Sequence, residues 1–218
     1  MNVFKNIQLP TVIYSDTSPY SKKIEVIEVS GTRKLIVEGV VQSVSANTPS
    51  VERMIWGSIA DLIVQEQPET SSMLIFGLGG ATTQHLISKK IPECNMVSVE
   101  IDEKIVEVAR NFFDLDSISN HRVVTEDAMR VIVEPDKYNL ALGTFDLILV
   151  DIYCGEKYPE LGKSGNFLSN LKKLAVSGGL IIFNRIYLHH HQEEVTDVQT
   201  KTVAGKTNAD NVLIFCRA

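Results

Sequence analysis

Gly77-Leu-Gly-Gly80 sits between an apolar run, Leu74-Ile-Phe76, and a segment of helical character. Glycines at such a turn let the backbone approach a ligand and leave helix N–H groups pointing at it. A tight strand-to-helix turn also asks for glycine on steric grounds alone. Val99-Glu100-Ile-Asp102 changes the balance, because Glu100 stands about 20 residues beyond the glycines, where an acid can hold both hydroxyls of a ribose. The two segments together point to an adenosine-containing ligand. Further on, Asp127 in Glu126-Asp127-Ala128 can accept a hydrogen bond from an adenine amino group, or simply cap a helix. Asp151, which opens Asp151-Ile-Tyr-Cys-Gly155, can position or deprotonate a nucleophile at the reacting end of that ligand; its plainer role is that of a turn former.

Each of these residues lies at the end of a short apolar run, and the runs recur. Met73-Leu-Ile-Phe76, Met96-Val-Ser-Val99, Arg122-Val-Val124, Phe145 to Val150 and Leu180-Ile-Ile-Phe183 alternate with helix-like segments near 81–90, 102–113, 127–133 and 165–175. That rhythm predicts a doubly wound α/β domain, with a parallel sheet covered on both faces and strand C-termini lining a crevice. Asp146-Leu-Ile-Leu-Val-Asp151 reads as a central strand. Val198 to Ala204 and Asn211 to Arg217, on either side of Gly205 to Asp210, read as a closing antiparallel hairpin.

The first 48 residues have another character. Lys23-Ile-Glu-Val-Ile-Glu-Val29 alternates with period two and can pair with Arg33 to Gln42 across Ser30-Gly31-Thr32, a β-hairpin. After it, Val51, Met54, Ile55, Ile59, Leu62 and Ile63 mark one helix face, with Thr48 as N-cap and Pro49 in the first turn. The expected division is an N-terminal β-hairpin region over 1–48 and a Rossmann-like nucleotide-binding domain over 49–218.

A chain of 218 residues, 44% hydrophobic and 22% charged, can bury one substantial core. Its net charge of −6 disfavours bulk attraction to nucleic acid. No apolar run approaches the roughly 20 residues of a membrane span, and MNVFKNIQLP lacks the apolar stretch of a secretory signal, so a cytoplasmic protein is expected. Cys94, Cys154 and Cys216 are too dispersed for a structural zinc site and fit a reducing compartment. His189-His190-His191 reads as a solvated loop, since consecutive side chains diverge and cannot all ligate one ion. Cys154 has no neighbour in sequence that would lower its pKa, which argues against a catalytic thiolate.

The succession Gly77-Leu-Gly-Gly80, Val99-Glu-Ile-Asp102, Glu126-Asp-Ala128 and Phe145-Asp-Leu-Ile-Leu-Val-Asp151 resembles the spermidine synthase (polyamine aminopropyltransferase) branch of the class I S-adenosylmethionine-dependent methyltransferase fold. Ser18-Pro-Tyr20 and Val37-Glu-Gly39-Val-Val-Gln42 are similar to that family's S-x-Y-Q and L-D-G-x-x-Q segments. The resemblance runs from about residue 18 to the C-terminus. It implies a seven-stranded, mostly parallel methyltransferase-type sheet, a homodimer, and S-adenosylmethionine or its decarboxylated form as donor, with no metal. By the same resemblance Gln42 and Glu100 contact the donor's ribose, Gly77, Gly79 and Gly80 pack on its tail, Asp127 and Ala128 hold the adenine, and Asp151 is the catalytic acid. Tyr20, Tyr153 and Glu156 fall on the acceptor side, where a small amine, a polyamine in the family, is expected. The family's D-S-S/T-D-P around that acid is here Asp151-Ile-Tyr-Cys-Gly-Glu156, closer to the D-x-[FY]-x-G pattern of spermidine-synthase-like methyltransferases. Aminopropyl and methyl transfer both stay open on these residues, beside a non-catalytic scaffold that keeps the fold.

Overall fold

The computed structural model describes residues 9–153, 165–188, 199–203 and 209–218. The chain begins with four antiparallel strands in sequential order: β1 (Thr11–Asp16), β2 (Ile24–Val29), β3 (Thr32–Val37) and β4 (Val40–Val44). The expected hairpin is therefore a four-stranded sheet. The segment read as one strand, Arg33 to Gln42, folds back at Glu38 and Gly39, whose φ values of 52° and 81° put two consecutive residues in the left-handed region. Ser30 and Gly31 do the same between β2 and β3, and two positive φ values suit a two-residue hairpin turn. Glu38 fastens its turn by accepting the N–H of Lys22 at 2.5 Å and of Lys23 at 3.1 Å.

The alternation expected of β2 is present: Ile24 opposes Val37 and Val26 opposes Leu35. These four side chains are buried against Ile105, Val108 and Phe113. Ile105 and Val108 belong to α3 (Glu103–Phe112), so the N-terminal sheet is seated on the helix that follows the expected ribose acid.

Between the sheets, Val51–Arg53 forms a single 3-10 turn and α1 spans Ile55–Glu66. Thr48 is not the N-cap; Met54 holds that place without a side-chain bond. The 3-10 turn folds against the helix at Gly57, where a Cβ would sit 2.3 Å from the Glu52 carbonyl oxygen. A continuous helix from residue 49 is replaced by this tight reversal.

The remaining strands are β5 (Ser72–Phe76), β6 (Asn95–Glu100), β7 (His121–Thr125), β8 (Phe145–Val150), β9 (Ala175–Leu188), β10 (Gln199–Val203) and β11 (Ala209–Arg217). They form one seven-stranded sheet in the order β10-β11-β9-β8-β5-β6-β7. β5 to β9 run parallel, and β11 is antiparallel to both β9 and β10. The crossings are α2 (Thr82–Lys90), α3, α4 (Ala128–Val133) and α5 (Gly165–Leu174), in the expected places. One face of the sheet, with Met73, Ile75, Leu147, Leu149 and Ile182, packs with α1 and α2; the other, with Leu74, Phe76, Ile148 and Ile181, packs with α4 and α5. Two buried layers explain why these strands read as unbroken apolar runs. No helix among the described residues is long and apolar enough to cross a membrane.

Candidate active site

The register of the parallel strands converts separate motifs into one row. Phe76 pairs with Val99 on one side and Val150 on the other, and Val150 pairs with Phe183. One step further along each strand are Glu100, Gly77, Asp151 and Asn184, side by side at the C-terminal edge of β6, β5, β8 and β9. The crossover reverses on either side of β5, the place where open α/β sheets bind their ligands.

Gly77 is the hinge of this row. With φ 104°, its missing Cβ would lie 2.1 Å from the Asp151 carbonyl oxygen. The chain can leave β5 here only because nothing projects toward β8. Gly79 and Gly80 face the other way, toward β4: Cβ atoms there would come within 2.6 Å of Ser43 Oγ and 2.9 Å of Ser43 Cβ respectively. Ser43 Oγ accepts the Gly80 N–H at 2.7 Å, and Thr82 Oγ1 donates to the Val44 carbonyl at 2.5 Å. The glycine turn is thus gripped by the N-terminal sheet. Its amides are largely engaged within the protein, since Gly77 N–H donates to Val99, Leu78 N–H to Glu100 and Ala81 N–H to Leu78. Of the two sequence-level roles for these glycines, the steric one is visible at all three. Gln42 belongs to the same contact, its carbonyl oxygen 3.5 Å from where a Gly79 Cβ would be.

Glu100 is held by backbone amides, accepting the Leu78 N–H at 3.1 Å and the Asp102 N–H at 3.0 Å. Burial pushes its carboxyl above the usual range, and these amides pull it back. Asp102 caps α3 by accepting the Lys104 N–H and receives the Ser18 hydroxyl at 2.5 Å. The Ser18-Pro-Tyr20 segment is thereby tied to the β6 tip. Tyr20, 51% exposed, lines a groove of about 670 Å3 between residues 17–20 and α3 that also reaches Ile101 and Thr125. The groove is lined by Ile101 and Asp102, which follow Glu100 in the chain, and by neither Glu100 nor Asp151 themselves. Asp127 is the N-cap of α4, accepting the Met129 N–H at 2.7 Å, and Ala128 opens that helix. The capping role expected as the plain alternative is realised, at the tip of the next strand, β7.

At the other end of the row, burial raises the Asp151 carboxyl's pKa, against the opposing effect of the Asn184 amide, which donates to Asp151 Oδ1 at 2.8 Å. A buried carboxylate with an elevated pKa is a better proton acceptor than one in water. Tyr153 donates its hydroxyl to the Asn184 carbonyl at 2.8 Å. Asn184, 5% exposed, was missed in the sequence, as was Asn211 of β11, which donates to Asn184 Oδ1 at 2.9 Å. The signal was an asparagine following Leu180-Ile-Ile-Phe183, in the same position past an apolar run as Asp151 past its own. Glu156, Cys154 and His189 to His191 lie outside the described residues.

Residues 52–215 match the model of the spermine/spermidine synthase domain. The chain belongs to that family. It is 34% identical to the polyamine aminopropyltransferase of Vibrio vulnificus over 127 residues, 58% of this chain and 41% of that protein. Polyamine aminopropyltransferase 1 of Aquifex aeolicus is 26% identical over 195 residues, 87% of this chain and 66% of the relative. The chain thus matches less than two thirds of the length of either. A human eEF1A lysine and N-terminal methyltransferase is 26% identical over 141 residues, 59% of this chain and 20% of that protein. Among solved structures, spermidine synthase from Thermotoga maritima superposes with a TM-score of 0.73 at 14% identity, over 94% of this chain and 72% of that one, which establishes a shared fold.

Proposed function

We propose that this spermidine-synthase-family chain is a transferase that binds decarboxylated S-adenosylmethionine across the strand tips and passes its aminopropyl group to a small amine. The observation that carries this reading is the single row in which Glu100 and Asp151 stand on either side of a side-chain-free Gly77. An ionised carboxylate offers about four acceptor positions. The backbone N–H groups of Leu78, Asp102 and Ile101 occupy part of Glu100's capacity, and ribose hydroxyls fit the remainder. Asp127 and Ala128, one strand further out, suit the adenine, and Gln42 stands on the β4 side of the ribose.

When bound, the donor supplies a carbon activated by a sulfonium. The acceptor nitrogen bonds to that carbon as the carbon–sulfur bond breaks, the thioether leaves neutral, and the nitrogen's surplus proton passes to the Asp151 carboxylate. Asp151 and Tyr153 flank the acceptor side, with Glu156 beyond them in the chain. No step requires a metal. A homodimer, as the family resemblance implies, is tested by light scattering, where a monomer at working concentration removes it.

A second reading, methyl transfer from S-adenosylmethionine, is favoured by Asp151-Ile-Tyr-Cys in place of the family's second acid and by the methyltransferase relative. Mass spectrometry after incubation with each donor and a panel of amines separates the two. Spermidine formed from putrescine supports aminopropyl transfer; a methylated product supports the second reading. Absence of any product, together with a donor affinity that Glu100→Ala leaves unchanged, overturns both.

A further inference from the structure

Asn184 presents a carboxamide whose oxygen and nitrogen ends have nearly the same shape and opposite hydrogen-bonding character. Which end meets Asp151 decides whether the carboxylate is stabilised or repelled. The answer lies one strand away. In the antiparallel pairing of β9 with β11, Leu213 stands opposite Asn184 and Asn211 is its diagonal neighbour on the same face. Asn211 Nδ2 donates to Asn184 Oδ1 at 2.9 Å, which leaves Asn184 Nδ2 for Asp151 Oδ1 at 2.8 Å. If the Asn184 amide turned over, an oxygen would face the carboxylate and two amino groups would face each other.

We propose that Asn211 is a positioning residue for Asp151: by fixing the orientation of the Asn184 amide, it keeps an N–H donor on the carboxylate and the carboxylate ready to receive a proton from the acceptor. This rests on the function proposed above. The charged surroundings of Asp151 are simple. Burial and the Asn184 amide are the influences on its carboxyl among the described residues. From β5 it is faced by Gly77, from β9 by Asn184, and Glu100 stands across Gly77 in its own set of amides. A change at Asn211 therefore reaches Asp151 through one amide.

The test uses two variants of nearly the same size, Asn211→Leu, which removes the donor without adding charge, and Asn211→Asp, which demands a donor from Asn184 and turns the amide over. The readouts are the Asp151 carboxyl titration by carbon-13 NMR, assigned with Asp151→Asn, and the pH profile of kcat for the full chain. Asn211→Leu is expected to move the Asp151 titration and the acid limb of kcat upward by about one pH unit, the scale of a lost hydrogen bond to a charged group. Asn211→Asp moves them further, and donor affinity stays within about twofold of wild type in both, a near-zero free-energy change. If Asn211→Asp does not fold, Asn211→Leu decides alone. Unchanged Asp151 titration in a folded Asn211→Leu variant overturns the proposal, even if the melting temperature falls. A shifted titration in a protein that transfers no group upholds the positioning role while the proposed function fails.

Discussion

At the scale of single residues, the site is supported from beneath by a polar chain that no motif announces. Gln84 Nε2 donates to Ser98 Oγ at 3.0 Å and to the Gly77 carbonyl at 3.3 Å, and Ser98 Oγ lies 2.8 Å from His121 Nε2. Burial, reinforced by His85, pushes the His121 pKa down to about 4. The folded protein therefore holds His121 neutral, while the unfolded chain protonates it near the ordinary value of 6.5. Below that value the unfolded state binds the extra proton, so this contribution to stability is complete above about pH 6.5 and declines as the pH falls toward 4. Replacing His121 by Gln should flatten the acid side of the stability profile by up to about 1.4 kcal/mol per pH unit, measured from denaturation midpoints between pH 4 and 7. An identical slope in the variant would remove His121 from the acid sensitivity. Cys94 offers a second check: burial pushes its thiol up to about 11, so thiol reagents at neutral pH should modify it only on unfolding. Rapid labelling of Cys94 in the native protein would contradict that burial.

At the scale of elements, the site depends on the N-terminal sheet gripping the glycine turn. Ser43→Ala should leave the buried Gly80 N–H without its acceptor and cost about 1–3 kcal/mol, with donor affinity falling as the turn loosens. Gly77→Ala should be worse for the site, because a methyl group there meets the Asp151 backbone at 2.1 Å and φ 104° suits only glycine. Chemical denaturation paired with donor calorimetry checks both, and wild-type values for Gly77→Ala would refute the close approach of β5 to β8. The five parallel strands and four crossing helices were legible because two-sided burial writes continuous apolar runs and amphipathic repeats into the sequence. β1 was not, since it is an edge strand whose Val12 and Ile13 remain exposed. The β3–β4 turn was hidden because Val37 and Val40 continue the apolar pattern across Glu38-Gly39. Glu100, Asp127 and Asp151 were legible from their places at strand ends, whereas Asn184 and Asn211 meet only through the register of β9 with β11, which no local pattern specifies.

At the scale of the whole molecule, two sheets share α3. Phe113, just past its end, is buried with Ile24, Val26, Leu35 and Val37, and its ring lies 3.0 Å from where a Gly80 Cβ would be. Phe113→Ala should cost about 3–5 kcal/mol and loosen the N-terminal sheet and the glycine turn together. A melting curve in which only one of them responds would show the two sheets to be independent. The role proposed for this shared scaffold is to bring donor and acceptor together before Asp151, and that is the central claim. It is tested most directly by the turnover of Asp151→Asn relative to wild type, with donor saturation verified by calorimetry. The account predicts a loss of about 10²- to 10⁴-fold in kcat with donor affinity unchanged, the range for removing a general base. Turnover equal to wild type in that variant would contradict it.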